Sequence, residues 1–478
     1  MLFNSFEFLL FLPVVFCLYW LLDRNLRVQN LLVVTASYVF YGWWDWRFLC
    51  LIAFTSAWSY AVGLIERYRW SLAPSRLLLV LSLLVNLGIL GAFKYFDFFM
   101  DQFASLLSCV GMHPDLPSIR IVLPVGISFY TFQALSYTID VYRRQIKPTR
   151  DPVAFFAFIS FFPQLVAGPI ERATNLLPQF LSPRRFDYAE AVTGCRQMLW
   201  GLFKKMVVAD NSAVVANSLL NDPSQSNGLA VWLGVFMFAV QIYGDFSGYS
   251  DIAIGCSKLF GIKLMRNFAY PYFSRDIAEF WRRWHMSLTT WFRDYIYIPL
   301  GGSRCGVGRQ IRNTFVIFIV SGIWHGANWT FVLWGAFHAL LFLPLLLGGK
   351  NRRNLGGVAE GRIFPSWGEL WDMLLTFLLV VVGWAFFRAQ SPTECWRWLA
   401  AMANPFSFSA VADVPHEVWT ALGAFAMMMV VEWINRTEEF ALGRLFGVRW
   451  GRILVYYVIV ALIFFYTPGS RNFVYFQF

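Results

Sequence analysis

The sequence has few charged residues. Asp, Glu, Lys and Arg together make up 14% of its 478 residues, whereas an ordinary soluble domain carries about 25%. Hydrophobic residues make up 58%, and the mean hydropathy is +0.53. The scarcity of charge excludes an ordinary soluble domain and predicts a protein embedded in a lipid bilayer. There is no basic tail, so we expect no nucleic-acid partner.

The sequence also lacks the motifs of metal and cofactor enzymes. Its seven cysteines are scattered, without a CxxC pair or a Cys/His cluster, which is typical of small residues that fill membrane helices. Walker A, HExxH, GxSxG and haem motifs are absent. We therefore expect no metal site and no bound cofactor.

What the sequence has is long apolar runs, and a helix that crosses the bilayer needs about 20 mostly apolar residues. Several runs are short or broken by Gly or Pro, so we expect those to be half-spans buried in protein. The predicted fold is an all-α polytopic membrane protein with about 11 crossings plus re-entrant and amphipathic in-plane helices. The runs are 2–22, 30–46, 48–65, 77–99, 119–140, 153–168, 191–219, 228–255, 312–324, 328–347, 370–387, 418–434 and 453–467.

No large soluble insert separates these runs, so we expect a single domain over residues 1–478. No internal repeat is visible, which disfavours a transporter, although transporter repeats can be weak in sequence. The formal net charge is +11, and residues 266–312 hold eight arginines against three acidic residues. This cluster sets the topology or also attracts a polyanionic cytosolic ligand; both alternatives stay open.

Two histidines lie in the apolar stretch SGIWHGANWTFVLWGAFHAL, residues 321–340. His325 lies inside a GxxxG motif, which lets a second backbone approach closely. If the helix continues, Asn328 and Trp329 fall at i+3 and i+4, on the same side as His325. A partly desolvated histidine stays neutral and suits general-base catalysis; a hydrogen bond between helices is the alternative. His338 lies about 220° further around an ideal helix, which favours a packing role.

The stretch WRRWHMSLTTWFRDYIYIPLGG, residues 281–302, repeats aromatic residues at helical spacing. Taken as one helix, it places His285 on an apolar stripe and arginines off that stripe. This pattern predicts an in-plane amphipathic helix, with core packing as the other explanation of the stripe.

Ionisable residues at membrane depth are candidates for a functional site. In QIYGDFSGYSDIAIG, residues 241–255, Asp245 and Asp251 bracket Ser247 and Tyr249. These groups line a cavity or form a polar kink satisfied by its own side chains. In FFPQLVAGPIERATNLLPQF, residues 161–180, three prolines predict a buried broken helix or a re-entrant turn.

The run from DFSGYSD (245–251) through residues 281–302 to SGIWHGANWTFVLWG (321–335) resembles the membrane-bound O-acyltransferase superfamily, in particular bacterial alginate O-acetyltransferases and their relatives that act on cellulose and peptidoglycan. Supporting stretches are MLFNSFEFLLFLPVVFCLYW at the start, SFYTFQALSYTIDVYR (128–143), FFPQLVAGPIER (161–172) and the terminal YFQF (475–478). The resemblance covers nearly the whole chain.

The resemblance implies a ring of tilted helices around a central funnel in which donor and acceptor meet from opposite sides. It implies that His325 of the WHG motif is the catalytic residue and that His285 is the second family histidine. The implied donor is acetyl-CoA, and we expect its phosphates near Arg282, Arg283 and Arg309. We expect further substrate contacts from Asn328, Trp329, Asp245, Ser247 and Tyr249.

In this branch of the family, the membrane protein is expected to pass acetyl groups across the bacterial inner membrane to periplasmic acetyltransferase partners. The expected acceptor is an extracytoplasmic polysaccharide, alginate first, with peptidoglycan, cellulose or D-alanylation of teichoic acid as alternatives. Direct transfer and an acyl-enzyme on His325 or Ser321 both stay open. A transporter, which would move substrate without covalent chemistry, and a scaffold of a secretion complex, in which His325→Ala would be silent, are the non-enzyme alternatives.

Overall fold

The computed structural model describes residues 1–112, 121–222, 225–411, 414–443, 449–469 and 473. Within these ranges the chain forms helices and turns and contains no β-strand, which confirms the all-α prediction. The terminal YFQF, residues 475–478, lies outside the described residues.

The described residues form twenty α-helices, and two π-helical segments, Lys204–Ala209 and Arg293–Tyr297, follow directly on α10 and α14. The helices are α1 (Phe6–Leu21), α2 (Leu26–Gly42), α3 (Leu49–Tyr68), α4 (Arg76–Lys94), α5 (Phe96–Cys109), α6 (Ile127–Tyr142), α7 (Pro152–Ser160), α8 (Phe162–Leu165), α9 (Ala173–Leu181), α10 (Tyr188–Phe203), α11 (Asp210–Leu220), α12 (Gly228–Leu259), α13 (Ile277–Arg283), α14 (Met286–Phe292), α15 (Val307–His325), α16 (Trp329–Leu347), α17 (Trp367–Arg388), α18 (Pro392–Ala403), α19 (Glu417–Ile434) and α20 (Arg449–Tyr466).

Seven helices in the described part of the chain are long and apolar enough to cross a membrane. This confirms a multi-pass membrane protein, but not the expected number of crossings. Helix α1, for example, has 16 residues and is about 24 Å long, which is less than the roughly 30 Å of a hydrocarbon core. The seven are Trp46–Tyr68, Arg76–Lys94, Gly228–Leu259, Trp329–Leu347, Trp367–Arg388, Glu417–Ile434 and Arg449–Tyr466.

The chain divides into two compact units. The first comprises Met1–Ala191 and Ser257–Met265, and the second comprises Val192–Cys256 and Arg266–Phe478. The single domain over residues 1–478 stays a prediction.

In the first unit, α6 packs against α3 and α4 and is buried along most of its length. A Cβ atom at Gly63 would lie 2.3 Å from the Tyr137 hydroxyl, so the absence of a side chain on α3 lets α6 approach closely. The hydroxyls of Ser82 and Thr138 lie 3.0 Å apart, which gives these buried polar groups a partner between α4 and α6.

The proline-rich stretch of the first unit is a buried broken helix, as predicted. Helix α7 ends at Ser160, α8 covers Phe162–Leu165, and all residues from 161 to 171 are buried. Glu171 follows, and its carboxylate accepts hydrogen bonds from the Asn175 side chain at 2.7 Å and from the Met265 amide. Burial raises the pKa of Glu171 to about 7.

The second unit contains a helical hairpin of α15 and α16, against which α17 packs, and α11 packs against α19. Helix α12 as far as Cys256 and the short helices α13 and α14 belong to the same unit. The three motifs that carry the family resemblance therefore lie in one compact unit.

Candidate active site

Helices α15 and α16 touch at glycines. A Cβ atom at Gly322 would lie 2.1 Å from the Phe331 carbonyl oxygen, and one at Gly335 would lie 2.3 Å from the Phe318 carbonyl oxygen. The two backbones can approach this closely only because neither position carries a side chain. The close packing predicted from the GxxxG motif is confirmed, and it fixes the end of α15.

His325 is the last residue of α15, and the helix does not continue past it. Gly326 is extended (φ −170°, ψ 161°), and Asn328 then caps α16 by accepting a hydrogen bond from the Thr330 amide at 3.0 Å. Asn328 and Trp329 therefore do not lie one turn beyond His325 on its helix face, and that prediction was wrong. Trp329 is the first residue of α16 and is 52% exposed.

Aromatic rings surround His325, which is buried. The ring centroids of Trp324, Trp334 and Phe387 lie 5.0, 5.2 and 5.1 Å from the imidazole centroid. This enclosure shields the imidazole from water and places a polar ring in an apolar setting.

His338 is also enclosed by aromatic rings. The rings of Trp281 and Trp334 each lie 5.0 Å from its imidazole, and a Cβ atom at Gly383 would lie 2.8 Å from its Nε2. The ring is thus held between α13, α16 and α17. These contacts give His338 a packing role, as the sequence favours.

The segment 281–302 is not one helix. Helix α13 ends at Arg283, α14 begins at Met286, and His285 between them adopts the left-handed conformation (φ 44°, ψ 53°). That conformation costs a residue with a side chain about 1–2 kcal/mol. The single-helix prediction was wrong, although His285 is fully buried, as its place on the aromatic stripe indicated.

The three motifs meet around His285. The Phe246 ring of DFSGYSD lies 4.6 Å from its imidazole, and the Trp324 ring lies 6.0 Å away. Because Trp324 also contacts His325, one indole connects the two family histidines. Burial lowers the pKa of His285 to about 3, so this imidazole is neutral at physiological pH.

An asparagine that the sequence did not indicate holds His285. The Nδ1 atom of His285 lies 3.1 Å from the Asn267 side-chain oxygen, and the Asn267 amide donates to the Ser250 hydroxyl at 3.1 Å. Asn267 is not ionisable and lies outside the three motifs, so nothing in its type or spacing singles it out. The fold alone brings it to the site.

Two adjacent lysines pair with the two aspartates of DFSGYSD. The Nζ atom of Lys204 lies 2.6 Å from Asp251, and that of Lys205 lies 2.8 Å from Asp245. Lys204 also donates to the Ser247 hydroxyl at 2.9 Å. Both lysines begin a π-helical segment, a feature often found at functional sites. Two charges inside the apolar run 191–219 are a visible signal that the sequence analysis missed.

A small polar cavity lies beside these pairs. Ser247 and Asp251 line it, whereas Asp245 lies outside its lining and Tyr249 packs its ring against Phe473, with the centroids 4.8 Å apart. The cavity-lining prediction thus holds for only part of DFSGYSD. Other lining residues are Lys204, Tyr243, Ser250, Asn267 and Glu432. Among the described residues, no group of three or more His, Cys, Asp or Glu side chains is arranged to bind a metal ion.

Two of the three predicted phosphate-binding arginines are bonded within the protein. Arg282 donates to the carbonyls of Asn351 and Asn354, both at 2.8 Å, and Arg283 pairs with Glu279 at 2.8 Å. Arg309, in the first turn of α15, is exposed. Arg309 is therefore the predicted phosphate-binding arginine that faces solvent. Arg282 holds the loop of residues 351–354, and Arg283 is paired with Glu279.

Comparison with known proteins agrees with this geometry. A family model described as the membrane-bound O-acyltransferase family matches residues 146–353. The probable alginate O-acetylase AlgI of Pseudomonas putida is 42% identical over 412 residues, which are 85% of this chain and 81% of the relative. The peptidoglycan O-acetyltransferase of Helicobacter pylori is 33% identical over 434 residues, which are 84% of this chain and 80% of the relative.

A more distant relative is the teichoic acid D-alanyltransferase of Bacillus subtilis, 26% identical over 290 residues, which are 58% of this chain and 71% of the relative. The chain is thus similar in sequence to proteins named for three different polymers. With the matched family model and the 42% identity over most of the chain, the protein belongs to the membrane-bound O-acyltransferase family and is a multi-pass membrane enzyme that transfers acyl groups.

Proposed function

We propose that the protein takes acetyl groups from acetyl-CoA and passes them across the bacterial inner membrane for O-acetylation of an extracytoplasmic polysaccharide, alginate in the first place. The observation that carries this proposal is the 42% identity, over 85% of the chain, to probable alginate O-acetylases of Pseudomonas putida and Pseudomonas aeruginosa. Periplasmic acetyltransferases complete the transfer onto the sugar hydroxyls.

His325 acts as the general base. It takes the proton of the acceptor hydroxyl while the hydroxyl oxygen attacks the thioester carbonyl carbon. The carbon–sulfur bond breaks, and the leaving thiolate takes up the proton as free CoA is released. The rings of Trp324, Trp334 and Phe387 around His325 keep water from competing for the thioester.

His285 positions the acceptor or polarises the carbonyl. Its contact with Trp324, which in turn touches His325, supports this joint role. Arg309 attracts the phosphates of the donor, because Arg282 and Arg283 already donate to protein groups. Asn328 and Trp329, at the start of α16, contact substrate beside His325, and Ser247 does so from the cavity.

The test compares two buried histidines of one hairpin. His325→Gln should lower transfer of labelled acetyl from acetyl-CoA by about 10²–10⁴-fold, the usual effect of removing a general base. His338→Gln is the matched control, because it makes the same change at a packed position, and it should retain most of the activity. Purified protein of each variant is incubated with labelled acetyl-CoA, alginate oligomers and periplasmic partner protein. Normal acetyl transfer by His325→Gln would refute the proposal.

Peptidoglycan is the second candidate acceptor, favoured by the 33% identity to the Helicobacter pylori enzyme. The same assay with peptidoglycan fragments or cellulose oligomers in place of alginate separates these acceptors. D-Alanylation of teichoic acid would require a thioester on a carrier protein. Release of CoA from acetyl-CoA by the wild type, lost in His325→Gln, argues against that alternative.

A further inference from the structure

We propose that Asn267 is a positioning residue that fixes His285 in one tautomer, with the hydrogen on Nδ1 and with Nε2 as the atom that accepts a hydrogen bond from the acceptor in acyl transfer. The catalytic part of this statement rests on the proposed function, in which His285 takes part in the reaction. The tautomer itself follows from the hydrogen bonds around Asn267.

The orientation of the Asn267 amide is set by a backbone group that can only donate. Its oxygen accepts from the Ser287 hydroxyl at 2.9 Å and faces the Ser287 backbone N–H at 3.4 Å. A backbone N–H can only donate, so the oxygen, and not the NH₂ group, must lie on this side. The NH₂ group then donates to Ser250 on the other side, at 3.1 Å.

This orientation decides the tautomer of His285. An amide oxygen only accepts hydrogen bonds, so the His285 Nδ1 that lies 3.1 Å from it must carry a hydrogen. In a neutral imidazole the other nitrogen then has a lone pair. Nε2 is buried and has no hydrogen-bond partner among the described residues. Nε2 is thus the one basic atom of His285, and Nδ1 is occupied by its hydrogen bond to Asn267.

The backbone around Asn267 also holds the strained turn that carries His285. The Met286 amide donates to the Asn267 carbonyl at 2.9 Å, and the Ala269 amide donates to the Arg283 carbonyl at 3.0 Å. These two bonds lie on either side of His285, whose left-handed conformation costs free energy. A residue held by its own backbone and by a side-chain bond is restricted in both position and ring orientation, which is what acyl transfer requires of a catalytic group.

The groups that pack against His285 explain why an amide is suitable here. Phe246, Phe268 and Trp324 supply aromatic rings. Three ionisable residues lie beside these rings: Asp245 pairs with Lys205, Arg266 donates to the Phe268 carbonyl, and His325 packs against Trp324. A carboxylate at position 267 would favour the imidazolium form, whereas the neutral amide orients the ring and leaves it uncharged.

The test compares the activities of two variants of Asn267. A positioning role and a purely structural role predict opposite orders of activity for them. Asn267→Asp keeps the accepting oxygen, and Asn267→Leu removes it while keeping the size. Positioning predicts that Asn267→Leu lowers kcat about 10–100-fold, in line with the loss of an orienting partner, with KM within about twofold. Asn267→Asp still orients the ring, and it should retain more activity than Asn267→Leu at high pH, where the imidazole beside the carboxylate is uncharged. If Asn267 were merely structural, the leucine would be tolerated better than a buried carboxylate. Equal kcat for Asn267→Leu and the wild type would overturn the proposal.

Asn313 is the matched control, because its buried amide donates to the carbonyls of Leu300 and Gly302 and not to a histidine. The pair Asn313→Asp and Asn313→Leu should not show the order expected at position 267.

A spectroscopic measurement decides the tautomer even if these variants do not fold. The chain has five histidines, so ¹⁵N-histidine NMR of the wild type is tractable, and the signal of His285 is the one lost in His285→Gln. The proposal requires the Nδ1–H tautomer, and an Nε2–H tautomer would refute it. If His285→Gln transfers acetyl groups normally, the proposed role of His285 fails, while the NMR result on its tautomer stands.

Discussion

Glu171 illustrates how a single buried acid can make this protein sensitive to pH. Its carboxylate accepts hydrogen bonds from Asn175 and Met265, yet burial raises its pKa from 4.5 to about 7. Between these two values the folded state holds a proton that the unfolded state has lost. The free energy of unfolding therefore decreases as pH rises from about 4.5 to about 7.

Glu171→Gln should remove most of this dependence. Glutamine can still accept from the Met265 amide and carries no charge to bury, so the variant should gain stability relative to the wild type at pH 8, by on the order of 3 kcal/mol at 1.36 kcal/mol per pKa unit. Thermal unfolding in detergent between pH 4.5 and pH 8 measures this difference.

Glu190→Gln provides the control, because this glutamate of the same unit is 41% exposed at its side chain. It should unfold with the pH profile of the wild type. Parallel profiles for Glu171→Gln and the wild type would show that the buried carboxyl is not the source of the pH dependence.

Single residues were predictable from the sequence where a motif or a charge marked them. His325 and His285 lie in recognisable motifs, and both are buried against Trp324. Lys204 carries a charge in an apolar run, and it could have been found in the same way as Asp251, its partner. Asn267 could not, because its importance comes from a contact with His285 that only the tertiary fold creates.

At the scale of the helix, periodicity predicted which faces are buried but not where helices end. The sequence does signal that the helix ends after His325, because Gly326 follows it and Asn328, two residues later, is a residue type preferred at helix starts. The sequence gives no such signal for the break between α13 and α14 at His285, because no glycine or proline lies there. Backbone hydrogen bonds to Asn267 and from Ala269 stabilise that break, and such long-range bonds are invisible to spacing.

The contact between α15 and α16 leads to a prediction about helix packing. In Gly322→Ala the new methyl group would meet the Phe331 carbonyl oxygen at about the 2.1 Å measured for an ideal Cβ atom. The helices must separate, which should cost about 1–3 kcal/mol and displace His325, three residues along. We expect a lower Tm and at least tenfold slower acetyl transfer from acetyl-CoA.

Gly308→Ala is the control for this change. Gly308 lies in the same helix with no atom within 4 Å of its Cβ position, and alanine favours a helix over glycine by about 1 kcal/mol. This variant should keep or raise the Tm and keep its activity. If Gly322→Ala behaved like Gly308→Ala, close backbone contact would not be what fixes His325.

On the scale of the whole molecule, net charge and its placement have different consequences. The chain carries a formal charge of +11, which acts over all its surfaces, whereas a phosphate-bearing donor responds to the charges near its point of entry. Many arginines of residues 266–312 are bonded within the protein, as Arg282 and Arg283 are. Arg293 and Arg312 are exposed but bonded to Asp294 and Asn313. Arg304 and Arg309 are exposed as well, and they are the residues through which we expect this cluster to attract the proposed donor, acetyl-CoA.

The double variant Arg304→Gln/Arg309→Gln should raise KM for acetyl-CoA several-fold and leave kcat unchanged, because attraction of the donor precedes the chemical step. Salt screens charges beyond about 10 Å at 0.1 M, so the difference from the wild type should shrink as the salt concentration increases. Steady-state rates of CoA release at low and high salt measure both effects.

The control is Arg24→Gln/Arg27→Gln, which removes the same charge from two exposed residues of the first unit. If net charge alone attracted the donor, both double variants would raise KM equally. If Arg304 and Arg309 form the point of entry, only their variant raises KM, and the increase depends on salt. An unchanged KM in both would exclude these two arginines as donor contacts, and the donor would have to be held by uncharged groups or by the arginines that fasten the loop after Asn351.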